Sequence, residues 1–155
     1  MNVNKTYYLT EQGLEKLKQD FEQLKEMRKA KLGKAAPAAF YSEELNSEFV
    51  SFRDEMDALD AKLEEMEYVL KNYEIIKPPA VSERGKVSLG ARVKVQIDGN
   101  SDEFLIVGTW EANPALGMIS NESPVGRALM GKKVGDTAVI NSPIKIEYKI
   151  KKITY

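Results

Sequence analysis

Two stretches of the chain carry apolar residues at alternating intervals of three and four positions. This spacing places the residues on one side of an α-helix, along the a/d seam of a coiled coil. The first stretch has them at Leu14, Leu17, Phe21 and Leu24, and the second at Phe49, Phe52, Met56, Leu59, Leu63, Met66 and Leu70. We therefore predict two long helices that pack together along their seams.

The two seams match when the helices run antiparallel. The matched pairs are Leu14 with Leu70, Phe21 with Leu63, and Leu24 with Leu59. Each pair is centred near Ser42, so the chain is predicted to reverse there and to form an N-terminal helical hairpin, a coiled coil, over residues 1–76. Thr10 is placed as the N-cap of the first helix, because its hydroxyl can accept a hydrogen bond from a first-turn backbone N–H.

The second half of the chain has a different pattern. Lys77-Pro78-Pro79 stops helical structure, and we predict a linker over 77–85. Short alternating runs typical of strands then follow, at 87–89, 93–97, 104–107, 118–120, 137–140 and 144–150, with a phase slip after Ile150 that predicts a bulge. Ser123 and Pro124 begin one short helix, which stops before Gly131. Residues 86–155 are thus predicted to be a small domain of mainly antiparallel strands, which makes the chain α+β.

Composition removes several kinds of chemistry. The chain has 155 residues, a net charge of −1, no cysteine and no histidine. Disulfides, thiolate zinc sites and histidine acid–base catalysis are therefore excluded, and a metal would need oxygen ligands. No apolar run is long enough to span a bilayer, and the N-terminus has no signal-peptide core. We expect a cytoplasmic protein.

Charge is divided unequally between the predicted helices near their junction. The first helix is basic there, at Lys25, Arg28, Lys29, Lys31 and Lys34, whereas the outer face of the second helix is acidic. One interpretation is that the opposite charges fix the antiparallel pairing. The other is that Arg28, Lys29, Lys31 and Lys34 contact a nucleic-acid backbone, such as RNA, near the tip. The sequence leaves both open.

Two carboxylates, Glu43 and Glu44, lie at the predicted tip. One interpretation is structural, because acids in the first turn after an N-cap such as Ser42 are favoured by the helix dipole. The other is chemical. Two carboxylates make a weak Mg²⁺ site alone, but they can complete a site that another macromolecule and its phosphate substrate share. In that case the tip acids support phosphodiester cleavage in a partner's active site, and the chain binds no cofactor by itself.

Three stretches resemble the Gre family of bacterial transcript cleavage factors. The first is Leu9-Thr10-Glu11-Gln12-Gly13-Leu14-Glu15-Lys16-Leu17, and the second is Asn46-Ser47-Glu48-Phe49 with Arg53. The third and most specific runs from Asn121 through Ser123-Pro124-Val125-Gly126-Arg127 to Asp136. Together they extend over nearly the whole chain.

This resemblance implies a fold and a function. The C-terminal domain would be FKBP-like and dock on RNA polymerase, through Ser123, Pro124 and Gly126. The hairpin would enter the secondary channel of the polymerase, near the nascent RNA 3′ end. Glu43 and Glu44 would share a Mg²⁺ ion with the polymerase, which remains the enzyme. The factor itself would be a monomer that contacts no membrane.

The tip departs from the family pattern of Asp, two residues, Glu and Asn. Aligned on Asn46, the aspartate position is Ser42 and the glutamate position is Leu45. Either Glu43 and Glu44 take over the ligand role, or the chain is a non-cleaving modulator or inhibitor of the polymerase. A more remote alternative is a peptidyl-prolyl isomerase, which the implied FKBP-like domain alone raises.

Overall fold

The computed structural model describes residues 5–33, 47–141, 143 and 145–155. The helices are α1 (Glu11–Gly33), α2 (Ser47–Lys71) and α3 (Pro124–Leu129), and the strands are β1 (Tyr7–Leu9), β2 (Tyr73–Ile75), β3 (Arg92–Ile97), β4 (Asn100–Val107), β5 (Met118–Ser120), β6 (Thr137–Asn141) and β7 (Lys145–Thr154). The chain forms two compact units. We call Leu14–Asn72 the helical unit, and Met1–Gly13 with Tyr73–Tyr155 the sheet unit.

The helical unit confirms the predicted seams. Every predicted seam position of α1 and α2 is buried or half-buried, and most positions between them are exposed. Leu17, Met56 and Met66 are the most buried of the predicted seam residues. Val69, which the heptad pattern did not include, is also buried, because the seam shifts by one position near the end of α2.

The antiparallel direction of the two helices is confirmed by contacts between them. The guanidinium of Arg28 is bonded to the carboxylate of Asp60, and the ammonium of Lys31 is bonded to Glu55. A later residue of α1 thus meets an earlier residue of α2. The predicted chain reversal near Ser42 lies outside the described residues.

The sheet unit is built on a five-stranded sheet in the order β5-β4-β3-β7-β6. Three of its four strand pairs are antiparallel, and β4 pairs with β5 in parallel. Asp98 and Gly99 connect β3 to β4 with φ of 46° and 87°, the left-handed backbone that a tight hairpin turn requires. The predicted bulge is present, because the register of β3 on β7 shifts between Lys94 and Val95.

The core of the sheet unit lies on one face of this sheet. Alternate residues of β3, β6 and β7 point into it, and Leu129 of α3 is fully buried against them. Buried apolar area of this kind is the main stabilising term for a small domain. The predicted α+β class and the one short helix are both confirmed.

A second, two-stranded sheet was not predicted. β1 and β2 pair in parallel, with Tyr7 opposite Tyr73 and Leu9 opposite Ile75. The second helix therefore ends at Lys71 rather than near Tyr73. The residues before α1 are a strand because their backbone groups pair with a segment far along the chain, which local periodicity cannot show. We predicted a hairpin over 1–76, a linker over 77–85 and a domain over 86–155. This division follows chain order, whereas the two compact units are defined by contacts, so the predicted domain boundaries stay a prediction.

None of the helices within the described residues has the length and the apolar character that crossing a membrane requires.

Candidate functional site

The predicted tip acids lie in the connection between the two long helices. α1 ends at Gly33 and α2 begins at Ser47. Glu43 and Glu44, together with Ser42 and Leu45, belong to residues 34–46, which are outside the described part of the chain. Their assignment as metal ligands stays a prediction. The structure describes the helices on either side of the tip, α1 and α2, which we call the arms.

The arms carry the predicted charge complementarity. Besides the bond from its Nε, Arg28 donates from Nη2 to Oδ2 of Asp60 over 3.2 Å, so the contact is bidentate. The hydrogen bond from Arg28 and its positive charge hold the pKa of the Asp60 carboxyl below its usual range. Lys31 and Glu55 form the second cross-helix pair. Exposed pairs stabilise weakly, but their direction selects the antiparallel arrangement.

The four cations proposed for RNA contact therefore differ in their surroundings. Arg28 and Lys31 are engaged by acids of α2. Lys29 is exposed and forms no ion pair with a described residue, and Lys34 is outside the described ranges. Charge pairing across the arms accounts for two of these residues, and a contact with RNA stays a prediction for all four.

The segment that carries the most specific resemblance, around α3, is held by hydrogen bonds between its own residues and the residues just before it. Ser123 caps α3, because its Oγ accepts a hydrogen bond from the backbone N–H of Gly126 over 3.0 Å. The same hydroxyl donates to the carbonyl oxygen of Ser120 over 2.7 Å. This confirms the predicted N-cap, and it means that the Ser123 hydroxyl already has both kinds of partner.

Gly126 is buried because another part of the backbone passes close to it. A Cβ atom at this position would lie 1.9 Å from the carbonyl oxygen of Ser120. Of the three residues predicted to dock on polymerase, Ser123 and Gly126 therefore shape the segment, whereas Pro124 is exposed on its surface. Glu122, next to the cap, forms an ion pair of 2.8 Å with Lys5.

A carboxylate that sequence analysis missed holds the start of α1. Glu111 accepts hydrogen bonds of 2.6 Å from both the backbone N–H and the hydroxyl of Thr10. The Thr10 hydroxyl in turn accepts from the backbone N–H of Gly13 over 2.9 Å, which confirms it as the N-cap. A Cβ on Gly13 would lie 2.0 Å from Oε1 of Glu111. Gly13 is thus required for the close approach of the carboxylate.

We expect Gly13→Ala and Glu111→Gln each to lower the free energy of unfolding by about 1–3 kcal/mol, because each breaks charge-assisted hydrogen bonds to Thr10. Because both changes remove the same bonds, the double variant should lose less than the sum of the two single losses. Urea denaturation of the four proteins measures this coupling. Glu83→Gln, at an exposed acid, is the matched control, and strictly additive losses would contradict the shared contact.

The aromatic residues of the sheet unit, apart from Tyr8 and the exposed Tyr73, are used in internal contacts. Phe104 and Tyr148 meet edge to face with ring centroids 5.8 Å apart, and Tyr148 is buried. Trp110 packs edge to face on Tyr7 at 6.5 Å. The hydroxyl of Tyr155 is bonded to the backbone of Ser88 over 3.0 Å. These contacts leave little of the aromatic surface that a prolyl-binding pocket would need, and a groove of about 580 Å³ beside Met130 has no aromatic residue in its described lining.

Among the described residues, no group of three or more acidic side chains is arranged to hold a metal ion. The predicted donors for Mg²⁺ are the carboxylates of Glu43 and Glu44 at the tip. Oxygen donors of this kind fit Mg²⁺, which keeps several waters and takes one or two protein carboxylates beside a phosphate. The donor set therefore fits half of a shared site.

Comparison with known proteins identifies the relatives of the chain. The family model for the N-terminal domain of transcription elongation factors matches residues 7–75, and the model for the C-terminal domain of GreA/GreB matches residues 82–155. Transcription elongation factor GreA of Thermomicrobium roseum is 34% identical over 137 residues, which cover 87% of this chain and 88% of that protein. GreA of Streptococcus sanguinis is 35% identical over 156 residues, or 97% of each chain. The crystal structure of GreA factor homolog 1 of Thermus thermophilus is 26% identical and covers 97% of this chain and all of that one, with a TM-score of 0.42.

Proposed function

The chain belongs to the GreA/GreB family of transcription elongation factors, and on that premise we propose that it binds bacterial RNA polymerase in the cytoplasm and acts on elongation complexes. The observation that carries the proposal is that both family models match, so that the helical arms and the sheet unit are each accounted for. The chain is an accessory factor, and the polymerase supplies the active site.

The arms support delivery of the tip acids into a narrow channel. α1 has 23 residues, which at 1.5 Å per residue make a helix of about 34 Å. The ion pairs of Arg28 with Asp60 and of Lys31 with Glu55 hold the two helices together near the connection that contains Glu43 and Glu44. Two paired helices are stiffer and narrower than a folded domain, which suits insertion into a partner.

Within this function we propose that Glu43 and Glu44 complete a Mg²⁺ site of the polymerase. When bound, the ion would activate water and stabilise negative charge during phosphodiester hydrolysis. The residues of this chain contribute negative charge and oxygen donors, and they do so only when the arms are inserted. The nascent RNA 3′ end would then lie near the tip, where Lys29 is an exposed cation that forms no ion pair with a described residue of α2.

A second candidate is a non-cleaving modulator of the same polymerase. The observation that favours it is the tip itself, where Ser42 and Leu45 stand at the positions at which the family pattern has its acids. A leucine has no donor atom for Mg²⁺, and a serine hydroxyl is a poor ligand for it. This candidate keeps the docking and the insertion and removes only the chemistry.

For docking we propose the exposed surface around Pro124. Ser123 and Gly126 fix the shape of this surface through the cap of α3, and the polymerase would contact it there. The charge of Glu122, next to the cap, is paired with Lys5.

A stalled elongation complex with Mg²⁺ separates the two candidates. We expect the protein to shorten the RNA from its 3′ end, and to compete with a cleavage-competent relative for the same polymerase. If it competes without adding to RNA shortening, the modulator is correct. If it neither competes nor shortens RNA, the proposed function is wrong.

A further inference from the structure

Two lysines face each other on the solvent-exposed side of the five-stranded sheet. Lys94 of β3 lies directly opposite Lys152 of β7 in the strand register, and both side chains are exposed. Residues opposite each other on neighbouring strands have Cβ atoms about 5 Å apart, and like charges in that position are destabilising. The sheet therefore bears an unfavourable contact that its packing does not require.

A third lysine extends this cluster. Lys149 pairs with Gln96, two residues along β3 from Lys94, so it lies on the same face. We call Lys94, Lys149 and Lys152 the lysine face. None of the three forms an ion pair with a described residue.

The acids on the same side of the sheet do not neutralise the cluster. Glu103 lies opposite Lys94 in the register of β3 on β4, but its carboxylate is bonded to Arg92 over 3.0 Å. Glu147 precedes Lys149 on β7 and is bonded to Lys145 over 2.8 Å. Both acids are thus engaged by other cations, and the lysine face keeps its net positive charge.

The sheet unit as a whole is positive although the chain is not. It holds thirteen lysine and arginine residues against ten aspartate and glutamate residues, a net charge of +3 within a chain of net charge −1. A positive surface carried by the unit that holds the lysine face attracts polyanions over distances up to about a Debye length, roughly 8–10 Å in physiological salt.

We propose that the lysine face binds the phosphate backbone of duplex DNA without sequence specificity. Charge complementarity is the basis, because ammonium groups on a flat surface release counterions when they replace them at phosphates. Single-stranded nucleic acid is disfavoured, because its binding sites combine cations with aromatic side chains on which bases stack. Phe104, Tyr148 and Tyr155 all pack on the opposite, core side of the sheet. The three lysines belong to the sheet unit and none is a residue used in the proposed function, so the proposal goes beyond it.

The test is binding of the full chain to a fluorescent 30-base-pair duplex, measured by anisotropy from about 50 to 200 mM salt. We expect Lys94→Gln/Lys149→Gln/Lys152→Gln to weaken binding at least about tenfold at the lowest salt. The slope of log K against log salt should fall in magnitude by about two to three, close to one per phosphate contact.

The matched control removes three exposed lysines that lie elsewhere, as Lys16→Gln/Lys18→Gln/Lys77→Gln. It changes net charge equally and should keep the parental slope. The proposal is overturned if the parent does not bind the duplex at the lowest salt, or if the two triple variants lose affinity equally. It is also overturned if single-stranded RNA, or an acidic polypeptide such as polyglutamate, binds the lysine face more tightly than the duplex does.

Lys152→Glu provides an independent check against misfolding. It would place an acid opposite Lys94 and replace a repulsive contact with an attractive one. We expect its Tm to equal or exceed that of the parent while duplex binding weakens more than in Lys152→Gln. A lower Tm together with unchanged binding would contradict the assignment of this face to DNA.

Discussion

Replacing Glu43 and Glu44 together by alanine is expected to reduce factor-dependent RNA cleavage by at least about a hundredfold, to the rate of the polymerase alone. The two carboxylates are the only metal ligands that the sequence offers at the tip, and losing ligands or their immediate support weakens a metal site by such factors. Affinity for the polymerase should not change, because the proposed docking surface is in the sheet unit. Cleavage rates and competition binding on the same stalled complexes measure both quantities.

The control for this variant removes two exposed acids from the arms, as Glu26→Ala/Glu64→Ala. It changes net charge equally and should leave cleavage within about twofold of the parent, because solvent screens exposed charges beyond about 10 Å. Equal losses in both variants would mean that the overall charge of the arms matters rather than the ligands. Full cleavage by the tip variant would show that Glu43 and Glu44 are first-turn acids only.

Gly126→Ala is expected to lower the free energy of unfolding of the sheet unit by about 3 kcal/mol. The new Cβ would lie 1.9 Å from the carbonyl oxygen of Ser120 and 2.8 Å from its carbonyl carbon. These are backbone atoms, so the segment before α3 has to move, and the hydrogen bonds of Ser123 with Ser120 and Gly126 are disturbed with it. For a domain of this size Tm should fall by more than about 10 °C.

Gly85→Ala is the matched control for this change. No heavy atom lies within 4 Å of a Cβ built on Gly85, and its backbone is not left-handed. Thermal unfolding should therefore show little change or a slight gain, because alanine restricts the unfolded chain. A Gly126→Ala protein as stable as the Gly85→Ala protein would mean that the close approach to Ser120 relaxes without cost. If Gly126→Ala remains folded, weaker polymerase binding would support the proposed docking surface.

The helical unit and most strands were predictable because local periodicity carries them. The 3-4 spacing of Leu14, Leu17 and Phe21 determines which side of α1 is buried, and the structure buries that side. The strand β7 was predictable together with its bulge, since Ile150 and Ile153 are three rather than two residues apart. The helix α3 was predictable from Ser123 and Pro124, whose preferences act within one turn.

The contacts that were missed join residues distant in sequence. Strand β1 is only three residues long, and its partner β2 follows 66 residues later, so neither carries a recognisable alternation. Glu111 is separated from Thr10 by 101 residues, and nothing near it in the sequence distinguishes it from a surface acid. Gly13 was the available signal. A glycine in a helix lowers the stability of that helix, so its presence suggests that another group passes close to the backbone there.

In the candidate site, too, local features could be predicted from the sequence and contacts between separate elements could not. The role of Ser123 as a cap could be predicted, whereas the closeness of Gly126 to Ser120 could not, because it depends on how β5 approaches α3. The resemblance attributed docking to Ser123, Pro124 and Gly126 alike. The structure separates them, since Pro124 is exposed, whereas Ser123 is half-buried and Gly126 is buried, and these two shape the segment from inside.

The parallel pairing of β1 with β2 has a consequence for biosynthesis. A ribosome releases Tyr7–Leu9 long before Tyr73–Ile75, so the first strand must wait while the intervening residues are made. The helices α1 and α2 lie between the two strands and form from local backbone hydrogen bonds, whereas the waiting strand needs a long loop to close first. The two long helices should therefore form on the nascent chain first, and the hydrogen bonds of Glu111 with Thr10 should form only when Glu111 has emerged.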